Sequence, residues 1–376
     1  MKSNRIKVAH VLQSVGGVDV YLRLVTENID AANVENIIIH QKGESKKKYL
    51  NSYGEEIKQF FIPIQREISL FKDIMAVYKT IKILKNEKPD VLHAHSAKGG
   101  IIARAASIFF RINVLHTPHA YSYLSAKSPL KRKLFLFLER VFRKFNSILL
   151  ATSESERIRG VKEVGYSNKR ALKFNNSIIP LDAFGNSPHL DLPNKYICTV
   201  GRPSYQKNIE MMINVIKKVK DQIPDVYLVI MGVGQYSPNR DNIVELIKEL
   251  NLDNNVILIN WIEREKILAI IKNSLFYIST SRYEGLPYSI IESLALSKAC
   301  VVTECDGNRD LVKDNYNGYI VENSNHLLMA KKIIELYKND KLRKKFEENS
   351  SELFKNNYNL NFNIRYLEDI YKEYSK

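Results

Sequence analysis

Short apolar runs alternate with segments of helical periodicity along nearly the whole chain, and this alternation limits the fold more than any other feature. Strands that alternate with helices are typical of parallel sheets covered by helices on both faces. The pattern predicts strands at Ile6–Leu12, Glu35–His40, Asp90–His95, Asn113–Thr117 and Ser147–Thr152, and then at Tyr196–Val200, Val226–Met231, Val256–Ile259, Phe276–Ser279 and Cys300–Thr303. The predicted fold class is α/β, with two Rossmann-like, doubly wound parallel-sheet domains.

The alternation is interrupted once, between Leu181 and Asn194, by a stretch rich in proline, asparagine and glycine. This composition is typical of a linker. A chain of 376 residues is also too long for one ordinary hydrophobic core. The sequence therefore predicts an N-terminal domain over residues 1–185 and a C-terminal domain over residues 186–360. A final helix in residues 361–376 is free to pack on either half, and a return to the N-terminal domain is one arrangement.

Positive charge is concentrated in the first half of the chain. Residues 1–185 carry 31 lysines and arginines against 16 acidic residues, whereas residues 186–376 carry 26 against 25. The two halves are therefore expected to face different partners. A basic half suits nucleic acid, anionic lipid or a phosphorylated substrate, and the alternative is a surface that only keeps the protein in solution.

The cysteines and the apolar segments indicate the compartment. Cys198, Cys300 and Cys305 form no CxxC pair and lie in apolar contexts, which predicts buried thiols in a reducing environment. No N-terminal stretch resembles a signal peptide, and no apolar window is long enough to cross a bilayer. The expected location of the protein body is the cytoplasm.

Two cations follow the first strand of the C-terminal half. Gly201 and Arg202 come directly after that strand, and Lys207 precedes a predicted helix. Ligands of doubly wound sheets bind where loops leave the carboxyl ends of strands. Glycine permits a tight turn there, and arginine and lysine are charged donors for a phosphate or diphosphate. The motif by itself has little specificity, because loops with two cations are common.

A second motif places two carboxylates at the same edge. Glu284, Gly285, Leu286 and Pro287 lie between a strand and a helix, and Glu292 lies within that helix. The amides of Gly285 and Leu286 are expected to point from the helix N-terminus, where anions bind. The two carboxylates suit pairs of hydroxyls on a sugar or a ribose. The structural alternative is that Glu284 is an N-cap and Glu292 a solvated helix residue.

The N-terminal half contributes two glycines and several histidines. Gly16 and Gly17 follow the first strand, but the third glycine of a dinucleotide fingerprint is missing, which disfavours a nicotinamide site. His119 follows the strand that ends at Thr117, at the same kind of edge. A lone histidine is usually structural, but the position of His119 at this edge favours a functional role equally. His93 and His95 share one face of their strand, and packing roles are expected because no third metal ligand has suitable spacing.

Together these motifs resemble the family-4 retaining glycosyltransferases of GT-B architecture, and in particular members that assemble bacterial surface polysaccharides. The resemblance covers nearly the whole chain and implies two domains that face a cleft. Ser297 departs from the family, since it stands where glycine is usual. The residues that carry the resemblance are Gly16-Gly17, residues 93–100, Thr117-Pro118-His119, Gly201-Arg202, Gln206-Lys207-Asn208, Gly232-Val233-Gly234, residues 284–292, Asn308-Arg309-Asp310 and Asn317-Gly318.

The resemblance implies a role for each matched position. The implied catalytic residues are His119 beside the sugar, Glu284 on the donor sugar, and Arg202 and Lys207 on the diphosphate. The implied donor-binding residues are Gly16, Gly17, Gly201, Arg202, Lys207, Gly232, Glu284, Gly285, Leu286, Pro287 and Glu292, with Glu292 on the ribose hydroxyls. Such enzymes retain the anomeric configuration by front-face attack without a protein nucleophile. The donor is expected to be a UDP-linked sugar and the acceptor a lipid-linked or oligosaccharide chain.

No metal and no cofactor are expected. Glycosyltransferases of the other common architecture hold a divalent metal with an Asp-x-Asp pair, and this chain has none. Arg202 and Lys207 are expected to neutralise the leaving diphosphate instead. The nucleotide sugar is a co-substrate rather than a cofactor.

Residues 128–145 indicate how an acceptor in a membrane is reached. Ser128 and Pro129 are typical of an N-cap and a first helical turn. A broad apolar stripe follows, which is the pattern of an interfacial helix on anionic lipid, and the alternative is a core helix with a basic outer face. The cations expected to contact the membrane, at the inner face of the plasma membrane, are Lys131, Arg132, Lys133, Arg140, Arg143 and Lys144.

Two other functions remain open. A sugar-nucleotide epimerase of the same fold would release an altered nucleotide sugar and would need no basic helix at a membrane. A nucleic-acid-binding protein would suit the charge, but the basic residues lack aromatic interleaving and no DNA-reading motif occurs. No nucleic-acid partner is therefore expected.

Overall fold

The computed structural model describes residues 5–42, 48–65, 69–181, 191–234, 237 and 239–375. Contacts divide the chain into a first unit, which comprises Met1–Asn176 and Leu360–Lys376, and a second unit, Ser177–Asn359. Each unit contains one parallel sheet with helices between its strands. The predicted fold class, two Rossmann-like α/β domains, is confirmed.

The first unit contains a seven-stranded sheet in the order β3-β2-β1-β4-β5-β6-β7. Strands β1 and β4 are central and almost entirely buried, because helices cover both faces of a parallel sheet. The elements in chain order are β1 (Ile6–Leu12), α1 (Gly17–Asn28), β2 (Val34–His40), β3 (Lys58–Phe61), α2 (Leu70–Glu87), β4 (Val91–His95), α3 (Ser96–Ser107), β5 (Asn113–Thr117), α4 (Pro129–Phe142), β6 (Ser147–Ala151), α5 (Glu154–Arg159) and β7 (Ala171–Lys173).

The second unit contains a six-stranded parallel sheet in the order β10-β9-β8-β11-β12-β13. Its core forms between this sheet and amphipathic helices such as α6, which buries Ile209, Ile213 and Ile216 at helical spacing. The elements are β8 (Ile197–Val200), α6 (Ile209–Lys220), β9 (Leu228–Met231), α7 (Arg240–Glu249), β10 (Val256–Ile259), α8 (Arg264–Asn273), β11 (Tyr277–Ser279), α9 (Tyr288–Ala295), β12 (Cys300–Thr303), α10 (Asn308–Leu311), β13 (Gly318–Val321), α11 (His326–Lys338) and α12 (Asp340–Asn357).

The last helix, α13 (Leu360–Tyr374), packs within the first unit. The Tyr371 hydroxyl lies 2.7 Å from Nδ1 of His93, and the Asn113 side chain donates to the carbonyl of Tyr374 at 2.9 Å. Both contacts join the end of the chain to strands β4 and β5. The C-terminal helix is thus part of the body that holds the first sheet.

The boundary between the units differs from the predicted one. The first unit ends at Asn176 rather than at residue 185, because Ile178 pairs with Asn359 in an isolated bridge and thereby joins the second unit. Residues 182–190 of the predicted linker lie outside the described residues.

Three strands are absent from the prediction: β3, β7 and β13. Each has only three or four residues and lies at the edge of its sheet. An edge strand has one neighbour and needs no long apolar run, so its sequence pattern is weak. Cys198, Cys300 and Cys305 are buried and free, as predicted. Within the described ranges, none of the helices has the length and apolar character needed to cross a bilayer.

Candidate active site

Glu284 lies in a buried cluster of donors at the carboxyl edge of the second sheet. Its Oε1 accepts a hydrogen bond from Ser281 Oγ at 2.7 Å and pairs with Lys207 Nζ at 2.8 Å. Gln206 Nε2 donates to Oε2 at 3.1 Å. Both carboxylate oxygens are thus engaged, and the side chain is fixed. Ser281 was not predicted, although its position just after β11 is a signal that could have found it.

Lys207 and Arg202 present the two predicted cations at this edge. Burial would lower the pKa of the Lys207 ammonium, but the adjoining Glu284 carboxylate outweighs that effect and raises it. The Lys207 side chain runs across Gly201, where an added Cβ would lie 3.2 Å from Cγ and Cδ of the lysine. Gly232 has φ +93°, and an added Cβ there would lie 3.7 Å from the Arg202 nitrogen. Arg202 itself is exposed.

Glu292 is buried on α9 and is held by a residue that sequence reasoning missed. Arg264, the first residue of α8, donates to Oε1 of Glu292 from Nε at 3.0 Å and from Nη2 at 2.8 Å. Burial raises the pKa of the Glu292 carboxyl, and the charge of Arg264 partly offsets the rise. Oε2 accepts no hydrogen bond from the described residues. The position of Arg264, shortly after β10 at the same edge, could have marked it.

The start of α9 differs from the prediction. The helix begins at Tyr288 with Pro287 as N-cap, so Gly285 and Leu286 precede the helix and do not supply its first amides. Gly285 instead packs against Gly307, where an added Cβ would lie 2.5 Å from the Gly285 carbonyl oxygen. The structural alternative is also excluded, because Glu284 is not the N-cap and Glu292 is buried.

Ser297 follows the C-cap of α9 and has φ +56°. Glycine is the usual residue at this left-handed position after a helix, because it has no Cβ to clash. The replacement of the usual glycine by Ser297 therefore concerns the backbone conformation after α9 and not a contact with the donor.

Gly16 and Gly17 lie at the start of α1, after β1. Gly17 is the first residue of the helix, and Gly16 is its N-cap with φ +58°. An added Cβ at Gly16 would meet no atom within 4 Å, so space is open on that side. Both glycines leave the backbone accessible at the carboxyl end of the strand, the edge at which doubly wound sheets bind ligands.

A chain of buried imidazoles crosses the first sheet. His10 on β1 lies 3.1 Å from His95 Nε2 through its Nδ1, and its Nε2 lies 3.0 Å from Asn36 Oδ1. His95 Nδ1 lies 3.2 Å from His119 Nε2. His93 belongs to another network, because its nitrogens contact the hydroxyls of Tyr371 and Thr117 at 2.7 and 2.9 Å.

These contacts correct the prediction that no third metal ligand exists near His93 and His95. His10 supplies one, since the nitrogens of the three residues lie within 4.8 Å of one another. Hydrogen bonds already account for both ring nitrogens of each of the three imidazoles. The nitrogens of His10, His93 and His95 are close enough together to bind a metal ion. The hydrogen bonds between side chains satisfy the same nitrogens without a metal ion.

His119 ends the imidazole chain at the carboxyl edge of the first sheet. It is half-buried, and burial lowers its pKa to about 3, so the ring is neutral at physiological pH. His119 and Ala120 have φ of +52° and +75°. The Ala120 amide donates to Glu156 Oε1 at 2.8 Å, which holds this strained turn.

Helix α4 turns part of its apolar surface outward, while its Phe135 and Leu136 are half-buried against the core of the first unit. Leu130, Leu134 and Phe137 are 78%, 46% and 60% exposed. The one fully buried residue of the helix is Glu139, which pairs with the buried Arg104 Nη2 at 3.0 Å. A core helix would bury these three side chains, so that alternative does not hold for the face that carries Leu130, Leu134 and Phe137.

Most of the cations predicted to contact a membrane surround these apolar side chains. Lys131, Arg132, Lys133, Arg140 and Lys144 are exposed. Arg143 is different: it is half-buried, and its guanidinium packs beside Gly165, 3.3 to 3.4 Å from where a Cβ would lie. Arg143 follows the last residue of α4, so it turns toward the body of the unit and not with the exposed cations.

The chain is similar in sequence to one characterised transferase and similar in fold to two solved structures. It is 26% identical to the UDP-Gal:alpha-D-GlcNAc-diphosphoundecaprenol alpha-1,3-galactosyltransferase of Escherichia coli, over 99% of this chain and 98% of that protein. Its fold matches sucrose-phosphate synthase of Thermosynechococcus elongatus with a TM-score of 0.83 and 17% identity, over 98% and 99% of the chains. Anabaena HepE in complex with UDP and glucose matches with a TM-score of 0.82 and 16% identity, over 98% and 100%.

The family matches cover both units. Residues 15–172 match Glycosyltransferase Family 4, and residues 185–353 match Glycosyl transferases group 1. The motifs that carried the resemblance lie within these ranges. Most of them lie at the carboxyl edges of two parallel sheets, whereas Asn317-Gly318 lies at the amino end of β13. With a GT-B fold and both halves matched, the chain belongs to the family-4 glycosyltransferases.

Proposed function

We propose that this protein is a retaining, metal-independent glycosyltransferase that moves a sugar from a UDP-linked donor to a lipid-linked or saccharide acceptor. The product would be a bacterial surface polysaccharide such as capsule, O-antigen or exopolysaccharide. The Glu284 cluster carries the proposal, because it places a fixed carboxylate and a charged lysine where doubly wound sheets bind ligands.

Lys207 and Arg202 suit the diphosphate of the donor. An ammonium has three N–H donors, and the Glu284 contact uses one of them. The remaining donors of Lys207 and the exposed guanidinium of Arg202 are left for phosphate oxygens. Two positive charges stabilise a departing diphosphate by the same electrostatic means as a bound metal ion.

Glu292 suits the ribose of the nucleotide. Arg264 engages only Oε1, which leaves Oε2 as an acceptor for hydroxyl groups. A ribose presents two neighbouring hydroxyl donors, and a carboxylate accepts hydrogen bonds well from such groups. The charge of Arg264 favours the ionised form of this carboxylate, and its two hydrogen bonds orient Glu292 before the nucleotide binds.

Retention without a protein nucleophile is consistent with the state of Glu284. Both of its oxygens accept hydrogen bonds, from Lys207 and Ser281 on one side and Gln206 on the other. A carboxylate bound in this way is a weak nucleophile, because its lone pairs are already shared with donors. Attack by the acceptor hydroxyl on the same face as the leaving diphosphate needs no covalent enzyme intermediate.

A lipid-linked acceptor is supported by the surface of the first unit. The name of the E. coli relative specifies an acceptor linked to diphosphoundecaprenol. Helix α4 joins exposed apolar side chains to exposed cations, which is the composition of a helix that lies on an anionic bilayer. We propose that this surface holds the protein at the inner face of the plasma membrane.

Helix α2 extends the same surface. Leu70, Phe71 and Ile74 are exposed near its start. The connections that carry α2, α3 and α4 all step in one direction across the sheet, and right-handed crossovers place such helices on one face. Helix α3 packs against both of the others. Two clusters of exposed apolar side chains therefore lie on one side of the first unit.

Donor binding is the first test of this function. The purified protein is heated with UDP-glucose, UDP-galactose, UDP-GlcNAc, UDP-GalNAc or GDP-mannose, since a bound ligand raises Tm by mass action. A UDP-sugar is expected to raise Tm more than UDP alone. Absence of any shift with all five donors would count against the donor assignment.

Transfer is the second test. The stabilising donor is incubated with a polyprenyl-diphosphate-linked saccharide in anionic vesicles, with excess chelator present. Transfer with retention is expected to persist in chelator, and a complete loss that Mg²⁺ or Mn²⁺ restores would refute metal independence. Formation of an altered free nucleotide sugar from donor alone would indicate the epimerase, and salt-sensitive retention of nucleic acid on filters would indicate the other alternative.

A further inference from the structure

The imidazole chain that ends at His119 has a defined beginning. Asn36, His10 and His95 lie on β2, β1 and β4, three neighbouring strands of the first sheet. Successive side-chain atoms along the chain are 3.0, 3.1 and 3.2 Å apart. Asn36, His10 and His95 are buried, so water does not compete for these bonds. His119 is the one member that reaches the edge where ligands bind.

A chain of neutral imidazoles has only two possible directions. Each neutral ring has one N–H donor and one lone pair, so the first bond fixes every later one. Asn36 presents Oδ1, an acceptor, to Nε2 of His10. His10 therefore donates from Nε2, His95 donates from Nε2 to His10, and His119 donates from Nε2 to His95. The lone pair of the last ring remains on Nδ1.

Nδ1 of His119 makes no hydrogen bond to any residue in the described ranges, and the side chain is half-buried. The backbone around it is also held in place. His119 and Ala120 have positive φ, which residues other than glycine seldom adopt. The Ala120 amide donates to the buried Glu156 carboxylate, which also accepts from the Thr152 amide at 2.7 Å. Both the ring and the turn are therefore fixed before a ligand arrives.

We propose that Asn36, His10 and His95 are positioning residues that hold His119 as its Nε2–H tautomer, so that its Nδ1 accepts a hydrogen bond from a hydroxyl of a sugar substrate at the carboxyl edge of the first sheet. This inference rests on the proposed function for the identity of the ligand, but the tautomer itself is a property of the free protein.

The neutral state of the three imidazole rings supports the proposal. Burial lowers the pKa of His10 to about 4 and that of His119 to about 3, and burial also lowers the pKa of His95 well below its usual value. Near neutral pH none of the three rings carries a second N–H. The direction set at Asn36 is therefore kept along the whole chain.

The tautomer is measured in the full-length protein without ligand. Histidine is labelled with ¹⁵N, and long-range ¹H–¹⁵N correlation spectra distinguish the protonated ring nitrogen from the one with the lone pair. In the wild type, His119 is expected to show a protonated Nε2 and an unprotonated Nδ1. The opposite assignment would overturn the proposal without any variant, even if Asn36 variants do not fold.

Asn36→Leu removes the acceptor that sets the direction and does not touch His119. It is expected to mix the two tautomers of His119. Tyr371→Phe is the matched control, because it removes a buried hydroxyl that bonds His93 in the neighbouring network. The control is expected to leave the His119 signals unchanged. Unchanged His119 signals in Asn36→Leu would overturn the proposal.

The second measurement is kcat/KM with the panel donor that stabilises the wild type most. Asn36→Leu is expected to lower it by roughly three- to tenfold, the effect of one hydrogen bond to an uncharged group. Tyr371→Phe is expected to keep the wild-type value. Mixed tautomers with unchanged kcat/KM would overturn the role toward the sugar. A wild type without transferase activity would contradict the proposed function and leave the tautomer result intact.

Discussion

Two carboxylates of the second unit are held in different ways, and the difference assigns them different tasks. Glu284 accepts from three side chains and has both oxygens engaged. Glu292 is held through one oxygen by Arg264 alone. Because both oxygens of Glu284 accept hydrogen bonds, this carboxylate orients its neighbours, among them Lys207. Glu292 still has one oxygen that can accept a hydrogen bond from a ligand. We therefore expect Glu292 to act in nucleotide binding and Glu284 in placing the sugar.

Arg202→Ala and Lys207→Ala are each expected to lower kcat by about 10²-fold or more, because each removes a charge that stabilises the departing diphosphate. Arg202 is exposed, so its replacement is expected to leave Tm unchanged, whereas removal of Lys207 also unpairs Glu284. Lys217→Ala is the control, a lysine on α6 that pairs only with Asp221 at 2.9 Å. Near-normal turnover in both folded variants would refute the assignment.

Glu292→Ala is expected to weaken the binding of UDP itself, measured by calorimetry. Glu284→Ala is expected to spare UDP affinity and to remove the additional affinity that the attached sugar gives. Arg264→Ala removes the charge that offsets the raised pKa of Glu292, so that pKa rises further. The loss of UDP affinity in Arg264→Ala, relative to the wild type, is therefore expected to grow as the pH falls. Equal losses for Glu292→Ala and Glu284→Ala would contradict this division.

Helix α4 shows how one element is turned outward. Its single acidic residue, Glu139, points inward to Arg104 and lies 4.0 Å from His116. Breaking such a buried pair costs about 3–5 kcal/mol, so this contact sets the rotation of the helix about its axis. Leu130 and Phe137 are thereby directed to the surface. The exposed cations lie in the same stretch of sequence, so a single helix carries both parts of the proposed membrane contact.

Replacing Lys131, Arg132 and Lys133 with glutamine is expected to release the protein from anionic vesicles in a sedimentation assay. Each basic residue near such a surface contributes roughly 1 kcal/mol, so the partition coefficient should fall on the order of 10²-fold. Leu130→Ser with Phe137→Ser is expected to weaken binding in the same assay and to do so at high salt as well. Vesicles without anionic lipid should bind the wild type weakly.

The control for this experiment makes the same charge change elsewhere. Lys341, Lys344 and Lys345 are exposed on α12 of the second unit. Their replacement with glutamine is expected to leave vesicle binding intact. Equal release by both triple variants would show that net charge alone drives binding, and a wild type that ignores anionic vesicles at low salt would refute the membrane contact.

At the scale of the whole molecule, the two units differ in charge and in their response to acid. The excess positive charge lies in the first half of the sequence, and the second half is nearly neutral. The first unit also buries a cluster of histidines whose pKa values are lowered by burial: His10, His93, His95, His116 and His119. Lys207, Glu284 and Glu292, which are proposed to bind the donor, lie in the other unit, so mild acid is expected to act first on the first unit.

Stability is expected to fall as the pH falls from about 6.5 toward 4. The folded pKa of His10 is about 4, below its unfolded value of about 6.5, so the unfolded chain binds more protons in this range. The stability that the neutral, buried His10 contributes is complete above about pH 6.5 and is lost progressively below that pH. At about pH 5 the lowered pKa of His10 costs about 2 kcal/mol of stability. Urea unfolding at about pH 7.5 and about pH 5 measures the difference.

His10→Gln is expected to reduce that difference, because it removes one group that gains a proton on unfolding. Glutamine also changes the packing, so the urea midpoint of the variant at about pH 5 is compared with the midpoint of the same variant at about pH 7.5. A midpoint that is the same at both pH values in the wild type would contradict the prediction.

The sequence by itself determined what depends on one element at a time. Periodicity along the chain reports which side of a strand or helix is buried, and this was enough for two doubly wound sheets. The order of strands and loops placed Arg202, Lys207, Glu284 and Glu292 near carboxyl ends of strands, because that position follows from the local sequence. The basic, apolar stretch that becomes α4 was visible for the same reason.

Only the tertiary structure decided which side chains meet. Ser281 and Lys207 reach Glu284 from different loops, and Arg264 reaches Glu292 from another helix. The chain from Asn36 to His119 requires the strand order β2-β1-β4-β5, which no periodicity encodes. Edge strands and the outward rotation of α4 also depend on neighbours. Sequence patterns report burial within an element, whereas pairing between elements follows from sheet order and packing, which are properties of the whole unit.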